Sequence, residues 1–380
     1  MDLRVAIDFE PVFVNRFSGF YTFGTGLLEG FAALKQTPKL VLFYSSRFAS
    51  AAKMLAQYEL GDAAEQKTIA IKRRWLEKIW KYFNTPKLEY LVDGFDVYHC
   101  FHHLMPPTNN KPRLMTVHDL RRYKLPDIYT KSKLEPFEYA VKNATHFLAV
   151  SQSTKNDLCE VFNINPAKVD VITLATNIKP FEYTAQQRSK TLKDLSEKIG
   201  QPIDNYFVVM SSPDTRKNIP RTVEAFEIAR KSMSGNVKLV VIGQMPKREE
   251  EFVKKIKNDG YANVICPGAM EDLRPWLGCA KGLVFASLYE GFGIPILEGF
   301  NCGTAVITSN ISSMPEVAGD AAMYVDPYSV ESIAEAIVKV ANDDQLRANL
   351  ISAGRERAKH FTWKRTAQDI IEVYKKLAGF

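Results

Sequence analysis

Two glutamates occupy one short segment, SLYEGFGIPILEGF, which runs from Ser287 to Phe300: Glu290 and Glu298, with seven residues between them. Gly291-Phe292-Gly293 follows the first glutamate and permits a tight turn in which backbone amides approach a ligand. Pro295 suits the first turn of a helix, so Glu298 is expected in that turn or close to it. Such a pair suggests either the acid and base of a hydrolase or acceptors for vicinal sugar hydroxyls. The structural alternatives are a solvated loop acid for Glu290 and a helix-dipole partner for Glu298.

Cationic and imidazole side chains follow two other predicted strands. Arg216 and Lys217 come after the predicted strand Phe207–Ser211, where a helix is about to begin. Adjacent cations at such a junction suit phosphate oxygens, although a solvated basic turn is the simpler alternative. His118 directly follows the predicted strand Leu114–Val117, so it is either a ligand-facing imidazole or a hydrogen-bonded loop histidine.

Several motifs that would assign other chemistry are missing from the sequence. There is no Walker GxxxxGK[ST] loop, no GxGxxG after the first strand and no G-x-S-x-G elbow. The run YHCFHH brings together His99, Cys100, His102 and His103, but no matching ligands stand at zinc spacing. We therefore expect a nucleotide to be held without those glycine loops, and we expect no metal.

Composition and charge limit the class of protein. The chain has 380 residues, enough for two domains at roughly 150 residues each. No run of 18 apolar residues and no signal peptide is found, and five scattered cysteines favour reduced thiols in the cytoplasm. The net charge of +7 belongs mainly to residues 1–180, where 24 Lys and Arg stand against 18 Asp and Glu, which is +6. No nucleic-acid-binding motif accompanies this charge, so we expect no nucleic-acid partner.

The densest basic segment is IKRRWLEKIWKYF, residues 71–83, which predicts a helix. One interpretation is a surface helix whose apolar face covers the core, and the other is a basic, Trp-bearing face that rests on an anionic membrane. The expected apolar face contains Ile71, Trp75, Ile79, Tyr82 and Phe83, and the cations expected mainly elsewhere are Lys72, Arg73, Lys78 and Lys81.

Short apolar strands alternate with helical patterns along the chain, which predicts parallel sheets built from βαβ units. The predicted strands are Val5–Asp8, Leu40–Tyr44, Val97–Cys100, Leu114–Val117, Phe147–Val150, Phe207–Ser211, Lys238–Ile242, Asn263–Cys266, Gly282–Ala286, Ala305–Thr308 and Ala322–Val325. The fold class is therefore α/β, with two doubly wound, Rossmann-like domains facing each other across a cleft. Ligands of such sheets bind at the carboxyl ends of the strands.

The predicted organisation has four parts. An N-terminal domain covers 1–185, and a linker with a short helix covers 186–205. A C-terminal domain covers 206–360. The last part, 361–380, is a helix expected to return to the N-terminal domain.

With these residues in place, the chain resembles the family 4 retaining glycosyltransferases of the GT-B architecture. The resemblance is strongest over Phe207–Pro327 and rests on SSPDTRKNIPRTVEAF, VVIGQ and SLYEGFGIPILEGFNCGTAVITSNISSMPEVAGDAAMYVDP, with FTWKRTAQDIIEVY near the end. The N-terminal half matches more loosely, through Gly19, LMTVHDL and FLAVSQSTKNDL. Within the family, the HDL and SNISSMPEVAGDAA segments look like those of bacterial surface-polysaccharide mannosyltransferases.

The resemblance implies roles for the predicted site residues. Arg216 and Lys217 would hold the diphosphate of a nucleotide-sugar, Glu290 the donor sugar and Glu298 the ribose, while His118 would approach the sugar from the first domain. Further donor-binding positions implied by the resemblance are Gly19 in the first loop, Gly268 and Met270 near the base, Phe292, Gly293 and Ile294 beside the sugar, and a supporting loop over 309–316.

The sequence departs from the family pattern at two places. Tyr21 stands where a second glycine of the first loop is usual, and Ser211 stands where a glycine usually precedes the Arg-Lys pair. Neither position belongs to the acidic pair, so the predicted activity is kept.

The expected function is retaining transfer of a hexose, first of all mannose from GDP-mannose, to a glycan or lipid-linked acceptor in polysaccharide biosynthesis. No cofactor and no metal are expected, because Arg216 and Lys217 can neutralise the phosphates. UDP-sugars stay open as donors, and contact of 71–83 with the inner face of the membrane stays open as well. The alternatives are a non-catalytic nucleotide-sugar or glycan-binding protein of the same fold and a nucleotide-sugar 2-epimerase.

Overall fold

The computed structural model describes residues 2–16, 18–129, 134–245, 252, 254 and 261–380. The chain divides into two compact units. The first contains Met1–Asn177 together with Phe361–Phe380, and the second contains Ile178–His360.

The first unit is built on a sheet of seven parallel strands. The strands are β1 Arg4–Asp8, β2 Lys39–Ser45, β3 Ala64–Ile69, β4 Val97–Cys100, β5 Arg113–Val117, β6 His146–Ala149 and β7 Val169–Val171. Their order across the sheet is β3-β2-β1-β4-β5-β6-β7. The central strands are buried on both faces, as parallel strands covered by helices must be.

The helices of the first unit connect these strands or cover them. They are α1 Glu10–Val14, α2 Gly19–Ala32, α3 Arg73–Phe83, α4 Arg121–Lys124, α5 Glu135–Asn143, α6 Gln152–Phe162 and, from the end of the chain, α14 Trp363–Ala378. The buried Trp363 begins α14, and its Nε1 donates to Asn177 Oδ1 over 2.8 Å. Thr366 Oγ1 donates to the Thr173 carbonyl over 2.6 Å, so the last helix is anchored within the first unit.

The second unit contains a sheet of six parallel strands. The strands are β8 Tyr206–Ser211, β9 Lys238–Gly243, β10 Val264–Gly268, β11 Gly282–Phe285, β12 Ala305–Ser309 and β13 Ala322–Val325, in the order β10-β9-β8-β11-β12-β13. Its helices among the described residues are α7 Ala185–Ile199, α8 Ile219–Ala229, α9 Arg274–Gly278, α10 Ile294–Asn301, α11 Met314–Ala318, α12 Val330–Asn342 and α13 Asp344–Ala358.

All the strands that the sequence predicts are confirmed, with ends that differ by at most two residues. The prediction misses β3 and β7, which are the two edge strands of the first sheet. β3 reads AEQKTI and is only partly buried, and β7 has three residues. An edge strand can stay polar because solvent covers its outer side, so it lacks the apolar run by which the others are found.

The segment 186–205 is not a free linker, because most of it is the helix α7 within the second unit. Thr184 and Gln187 form a capping box at its start, and Gly200 ends it in a left-handed conformation. Arg188 donates to the carbonyls of Gly278 and Cys279, each over 2.8 Å. These long-range contacts hold α7 against the second unit. Its sequence is mostly polar, and Leu195 is its buried residue.

The basic segment forms the helix α3, but the expected apolar face is wrong. The buried residues are Leu76 and Trp80, whereas Trp75, Tyr82 and Phe83 are 50%, 70% and 72% exposed. Trp80 is fixed because its Nε1 donates to the Pro86 carbonyl over 2.9 Å. Apolar side chains thus lie on both sides of this helix, and their periodicity alone could not decide which side faces the sheet.

Candidate active site

A short cationic turn follows β8 in the second unit. It spans Thr215–Lys217 and begins at Asp214, whose Oδ1 accepts from the Arg216 amide over 3.2 Å. Asn218 ends the turn with a φ of +58° and donates from Nδ2 to the carbonyls of Ala286 and Pro327, over 2.9 and 2.7 Å. The turn is therefore fixed to the segment that follows β11, the next strand of the sheet.

One carboxylate joins both cations of this turn. Glu290 Oε1 lies 2.7 Å from Lys217 Nζ, and Glu290 Oε2 forms an ion pair with Arg216 Nη1. The three side chains are 8%, 11% and 12% exposed for Glu290, Lys217 and Arg216. Arg216 and Lys217 are thus held in a nearly buried ion-pair cluster and are not part of a solvated basic turn. The cluster keeps enough accessible surface to meet a ligand.

Burial and charge act in opposite directions on the pKa values of this cluster. Burial by itself would raise the pKa of Glu290, but Arg216 and Lys217 outweigh it and lower that pKa to about 2. Burial lowers the pKa of Lys217, and the nearby negative charge of Glu290 opposes that shift. The carboxylate therefore stays ionised at neutral pH and is suited to accept hydrogen bonds, not to deliver a proton.

The loop that carries Glu290 is supported by serines from the loop after β12. Ser312 Oγ donates to the Glu290 carbonyl over 2.6 Å, and Ser313 Oγ lies 2.9 Å from the same carbonyl and 2.7 Å from that of Phe292. Ser309 Oγ donates to the Ser287 carbonyl over 2.6 Å. Ser309, Ser312 and Ser313 lie in the supporting loop predicted over 309–316, whose last three residues begin the helix α11, and they fix the backbone from which the Glu290 carboxylate extends.

The second glutamate extends from α10, just past the first turn of that helix. Gly293 precedes this helix with a φ of +109°, and Pro295 lies in its first two positions. Glu298 is the fifth residue of α10, so its carboxylate lies too far along the helix to act as a partner for the free amides at its start. Its side chain is half-buried, and among the described residues no hydrogen bond or ion pair reaches its carboxylate. Burial raises the pKa of Glu298 to about 7.

The other donor-binding positions lie around this cluster or at the sheet edge. Phe292 is buried, and the half-buried Ile294 opens α10. Gly268 ends β10 with a φ of +88°, two strands away from β8. Met270 follows it, and its Sδ lies 3.6 Å from Lys198 Nζ of α7.

In the first unit, His118 lies where β5 ends, between two phenylalanines. Its ring centroid is 5.0 Å from each of the rings of Phe20 and Phe23. Nε2 is buried and has no hydrogen-bond partner among the described residues. Burial lowers the pKa of His118 to about 4, so the imidazole is neutral at neutral pH. The described part of the fold thus leaves one nitrogen of this histidine unsatisfied.

One sequence-based expectation about the first unit needs correction, and one histidine of the YHCFHH run lies in the core. Gly19 is not in a loop, because it is the first helical residue of α2, after the capping residue Ser18. His99 is a core histidine, with Nδ1 2.6 Å from Tyr374 Oη and Nε2 2.7 Å from Thr116 Oγ1. Within the described ranges, no three His, Cys, Asp or Glu side chains are grouped as metal ligands.

Sequence reasoning missed the residues that position the cations. Asp214 could have been found, because an acid before a short helical turn is a capping signal. Asn218 and Ser313 carry no such signal, since their partners lie 68 and 23 residues away.

Comparison with known proteins gives a consistent class. The family described as Glycosyl transferases group 1 matches residues 193–357, and the family described as Glycosyltransferase Family 4 matches residues 41–178. The O-antigen chain mannosyltransferase B of Escherichia coli is 27% identical over 269 residues, which are 69% of this chain and 70% of that protein. The serotype-specific mannosyltransferase WbdA of Escherichia coli is 27% identical over 285 residues, 73% of this chain but only 33% of that longer protein.

A solved structure agrees over the whole chain. The crystal structure of Anabaena HepE in complex with UDP and glucose superposes with a TM-score of 0.71 and 15% identity, covering 98% of this chain and 100% of that one. The fold and site define a glycosyltransferase of the GT-B architecture. The chain thus carries two glycosyltransferase family matches, one to the group 1 model within the second unit and one to the family 4 model in the first.

Proposed function

We propose that this glycosyltransferase moves a hexose to a glycan or lipid-linked acceptor in polysaccharide biosynthesis. Mannose from GDP-mannose is the first candidate for the donor. The observation that carries the proposal is the nearly buried cluster of Arg216, Lys217 and Glu290, with the half-buried Glu298 on the helix that follows. Paired cations suit a diphosphate, and carboxylate oxygens suit the hydroxyls of a sugar and a ribose. Mannose is supported by what the two named relatives from Escherichia coli are called.

The proposed reaction retains the configuration at the anomeric carbon. The bond from that carbon to the diphosphate oxygen breaks, and a bond to the acceptor oxygen forms on the same face. The proton of the acceptor hydroxyl passes to a diphosphate oxygen, so the products are the glycosylated acceptor and a nucleoside diphosphate. Arg216 and Lys217 would stabilise the charge that develops on the departing diphosphate, which is the task a metal ion performs elsewhere.

Donor identity and reaction type are tested together. A thermal-shift screen with GDP, UDP and ADP comes first, since a true ligand at 100 times its Kd stabilises by about 2.7 kcal/mol. The matching sugar nucleotides are then incubated with mannosyl and glucosyl acceptors, with and without EDTA, and the products are separated. Transfer from GDP-mannose that continues in the presence of EDTA supports the proposal. The transferred mannose must have the anomeric configuration of the donor, which is read by NMR of the product.

The same assay distinguishes the alternatives. A rise in melting temperature with a nucleotide, but without transfer or hydrolysis, would indicate a binding protein. An altered sugar that is still attached to its nucleotide would indicate an epimerase. No shift with any nucleotide would refute the proposal as a whole.

We further propose that the protein works on the cytoplasmic face of a membrane and touches it through α3. The exposed side of that helix combines Trp75 and Tyr82 with the exposed cations Arg74, Lys78 and Lys81. Lys78 Nζ lies 5.3 Å from the Trp75 ring centroid, and Arg74 Cζ lies 5.7 Å from it. Aromatic and cationic side chains on one helix face suit an interface with anionic lipid. No helix in the described part of the chain meets the length and hydropathy needed to cross a bilayer.

Vesicle flotation tests this contact. Arg73 is excluded from the design because it forms a buried ion pair with Asp8, so Arg74, Lys78 and Lys81 are changed to Gln. The matched control changes the exposed Lys190, Lys193 and Lys359, which lie in the second unit. Loss of flotation with phosphatidylglycerol vesicles in the α3 variant, but not in the control, is expected. Equal flotation of both variants would refute the contact.

A further inference from the structure

A chain of polar contacts in the first unit connects the end of β1 to an accessible imidazole. Asp8 ends β1 and pairs with Arg73 Nη1, and Arg73 Nε donates to Glu77 Oε1 over 3.1 Å. Glu77 Oε1 lies 3.3 Å from His103 Nε2, and His103 Nδ1 lies 3.2 Å from His102 Nε2. Five side chains from three segments thus form one relay, and its last member is His102.

The relay determines which nitrogen of His102 carries the proton. Although burial acts to raise the pKa of Glu77, its contacts with His103 and Arg73 lower it, so this carboxylate is ionised and only accepts. His103 Nε2 must then donate to it, and in neutral His103 the Nδ1 is an acceptor. His102 Nε2 therefore donates to His103, and Nδ1 of neutral His102 has a free lone pair.

This lone pair lies on an aromatic surface beside a second unsatisfied imidazole. The Phe20 ring centroid is 4.6 Å from that of His102 and 5.0 Å from that of His118. Phe20 and His102 are both half-buried, and among the described residues His102 makes its hydrogen bond through Nε2. His118 Nε2 is buried and has no partner in the described part of the fold. The half-buried Phe20 ring beside the acceptor nitrogen of His102 matches a pyranose, which offers C–H groups to the ring and a hydroxyl to the nitrogen.

We propose that Phe20 and His102 form a subsite for the terminal sugar of the acceptor, in which a hydroxyl of that sugar donates to His102 Nδ1. This inference rests on the proposed glycosyltransfer and adds a binding residue to it. His103 and Glu77 are positioning residues, because they fix the tautomer of His102 without touching the sugar.

The test compares two replacements of His102 with a matched control. An Asn side chain places a polar atom close to the position of Nδ1, whereas Gln places one close to Nε2. His146 is the control, because it also pairs with a carboxylate, Asp170 Oδ2 at 2.6 Å, but it begins β6, two strands away from β4. The acceptor probes are octyl α-mannoside, octyl α-glucoside and octyl α-N-acetylglucosaminide, assayed at pH 8.

Loss of one hydrogen bond is expected to raise the acceptor KM of His102→Gln about tenfold while the donor KM stays within about twofold. His102→Asn should lose less, and Glu77→Gln should raise the acceptor KM because His103 no longer has a fixed tautomer. His146→Gln should leave both constants unchanged. A merely structural role for His102 would change the donor KM and the acceptor KM together. A rise in the acceptor KM alone therefore identifies the subsite.

Two negative outcomes have different meanings. If the wild-type protein consumes no sugar nucleotide, the proposed function fails, and the subsite fails with it. If the wild-type protein hydrolyses its donor but uses none of the three probes, or if His102→Gln keeps the acceptor KM of the control, the subsite alone is refuted. Full folding of each variant is checked by its melting temperature.

Discussion

At the scale of single residues, the site is governed by charges that have been removed from water. Arg216, Lys217 and Glu290 are each about nine-tenths buried, so each depends on the others for its ionised state. Glu298 lies on the helix that follows, where none of the described residues pairs with its carboxylate, and its pKa is raised to about 7. The two carboxylates of one segment therefore have opposite pKa shifts, and each shift leads to a measurable prediction.

Glu290→Gln should separate stability from nucleotide binding. Removal of the Glu290 charge takes the carboxylate from Lys217 and leaves Arg216 with its ion pair to Asp214, which costs about 3–5 kcal/mol of stability. A diphosphate should partly replace the lost carboxylate, so the nucleotide-induced rise in melting temperature should be larger than in the wild-type protein, although sugar transfer is lost.

Glu182→Gln is the control for this experiment, because Glu182 forms an exposed ion pair with Arg355 in the same unit. Its melting temperature should stay close to that of the wild-type protein. A Glu290→Gln protein with unchanged stability and unchanged transfer would contradict the assigned role.

Glu298 should make stability depend on pH. Its pKa is raised from 4.5 to about 7 in the folded protein, so between these values the folded state holds its proton more tightly than the unfolded state. This group therefore lowers stability as pH rises from about 4.5 to 7, and the loss is complete above pH 7. Glu298→Gln removes the effect, so its advantage in melting temperature over the wild-type protein should grow from pH 5 to pH 8, by an amount equivalent to roughly 2 kcal/mol.

The exposed Glu224 of α8 provides the comparison for this pH series. Glu224→Gln should show no such trend across the same range. A constant difference between Glu298→Gln and the wild-type protein at all pH values would mean that the Glu298 carboxyl is not desolvated.

At the scale of elements, the ends of β8 and β9 approach each other closely just before the cationic turn. Gly243 ends β9 with a φ of +122°, and a Cβ there would lie 2.0 Å from the Ser211 carbonyl oxygen at the end of β8. Ser211 Oγ in turn donates to the Gln244 carbonyl over 2.8 Å. Ser211, which stands where the family pattern usually has a glycine, is thus part of a contact between two strand ends that precedes the cationic turn.

Gly243→Ala should therefore destabilise the protein more than an ordinary glycine substitution. A positive φ and a backbone clash together should cost about 2–4 kcal/mol. Gly235→Ala is the matched control, since its φ is +78° but the nearest atom is 3.7 Å away, and it should cost about 1 kcal/mol. Urea unfolding followed by tryptophan fluorescence measures both, and equal midpoints would show that the two strand ends can move apart freely.

At the scale of the whole molecule, the first unit is discontinuous in sequence. It is closed by residues 361–380, whose helix α14 buries Trp363, Ile370 and Tyr374. Tyr374 Oη lies 2.6 Å from His99 Nδ1 in the core, so removal of this helix would leave a buried imidazole unsatisfied. The stability of the first unit is therefore expected to depend on the end of the chain.

Trp363→Ala tests this dependence. Loss of a buried aromatic side chain costs about 3–5 kcal/mol, and here the Asn177 hydrogen bond is lost as well. Calorimetry should show the earlier melting of one unit, while nucleotide binding by the second unit is kept. Phe380→Ala is the control, because Phe380 is exposed and should change neither property. If the Trp363 variant loses nucleotide binding at the same temperature at which its first unit melts, the two units do not melt separately.

Much of this protein could be predicted from its sequence, because parallel strands buried on both faces leave apolar runs that can be read locally. The strands β4 and β13 were predicted to the residue, and the rule that ligands bind at strand ends selected Arg216, Lys217, Glu290 and His118. Pro295 also marked the start of α10 correctly.

Only the tertiary structure decided which of these residues meet. Lys217 and Glu290 are 73 residues apart in the chain, and they pair because β8 and β11 are neighbours although they are not consecutive in sequence. The same holds for the polar edge strands β3 and β7, for the side of α3 that faces the core, and for the relay from Asp8 to His102. Local patterns record whether a side chain prefers burial, but they do not record its partner, and charged groups in a nearly buried site depend on the partner.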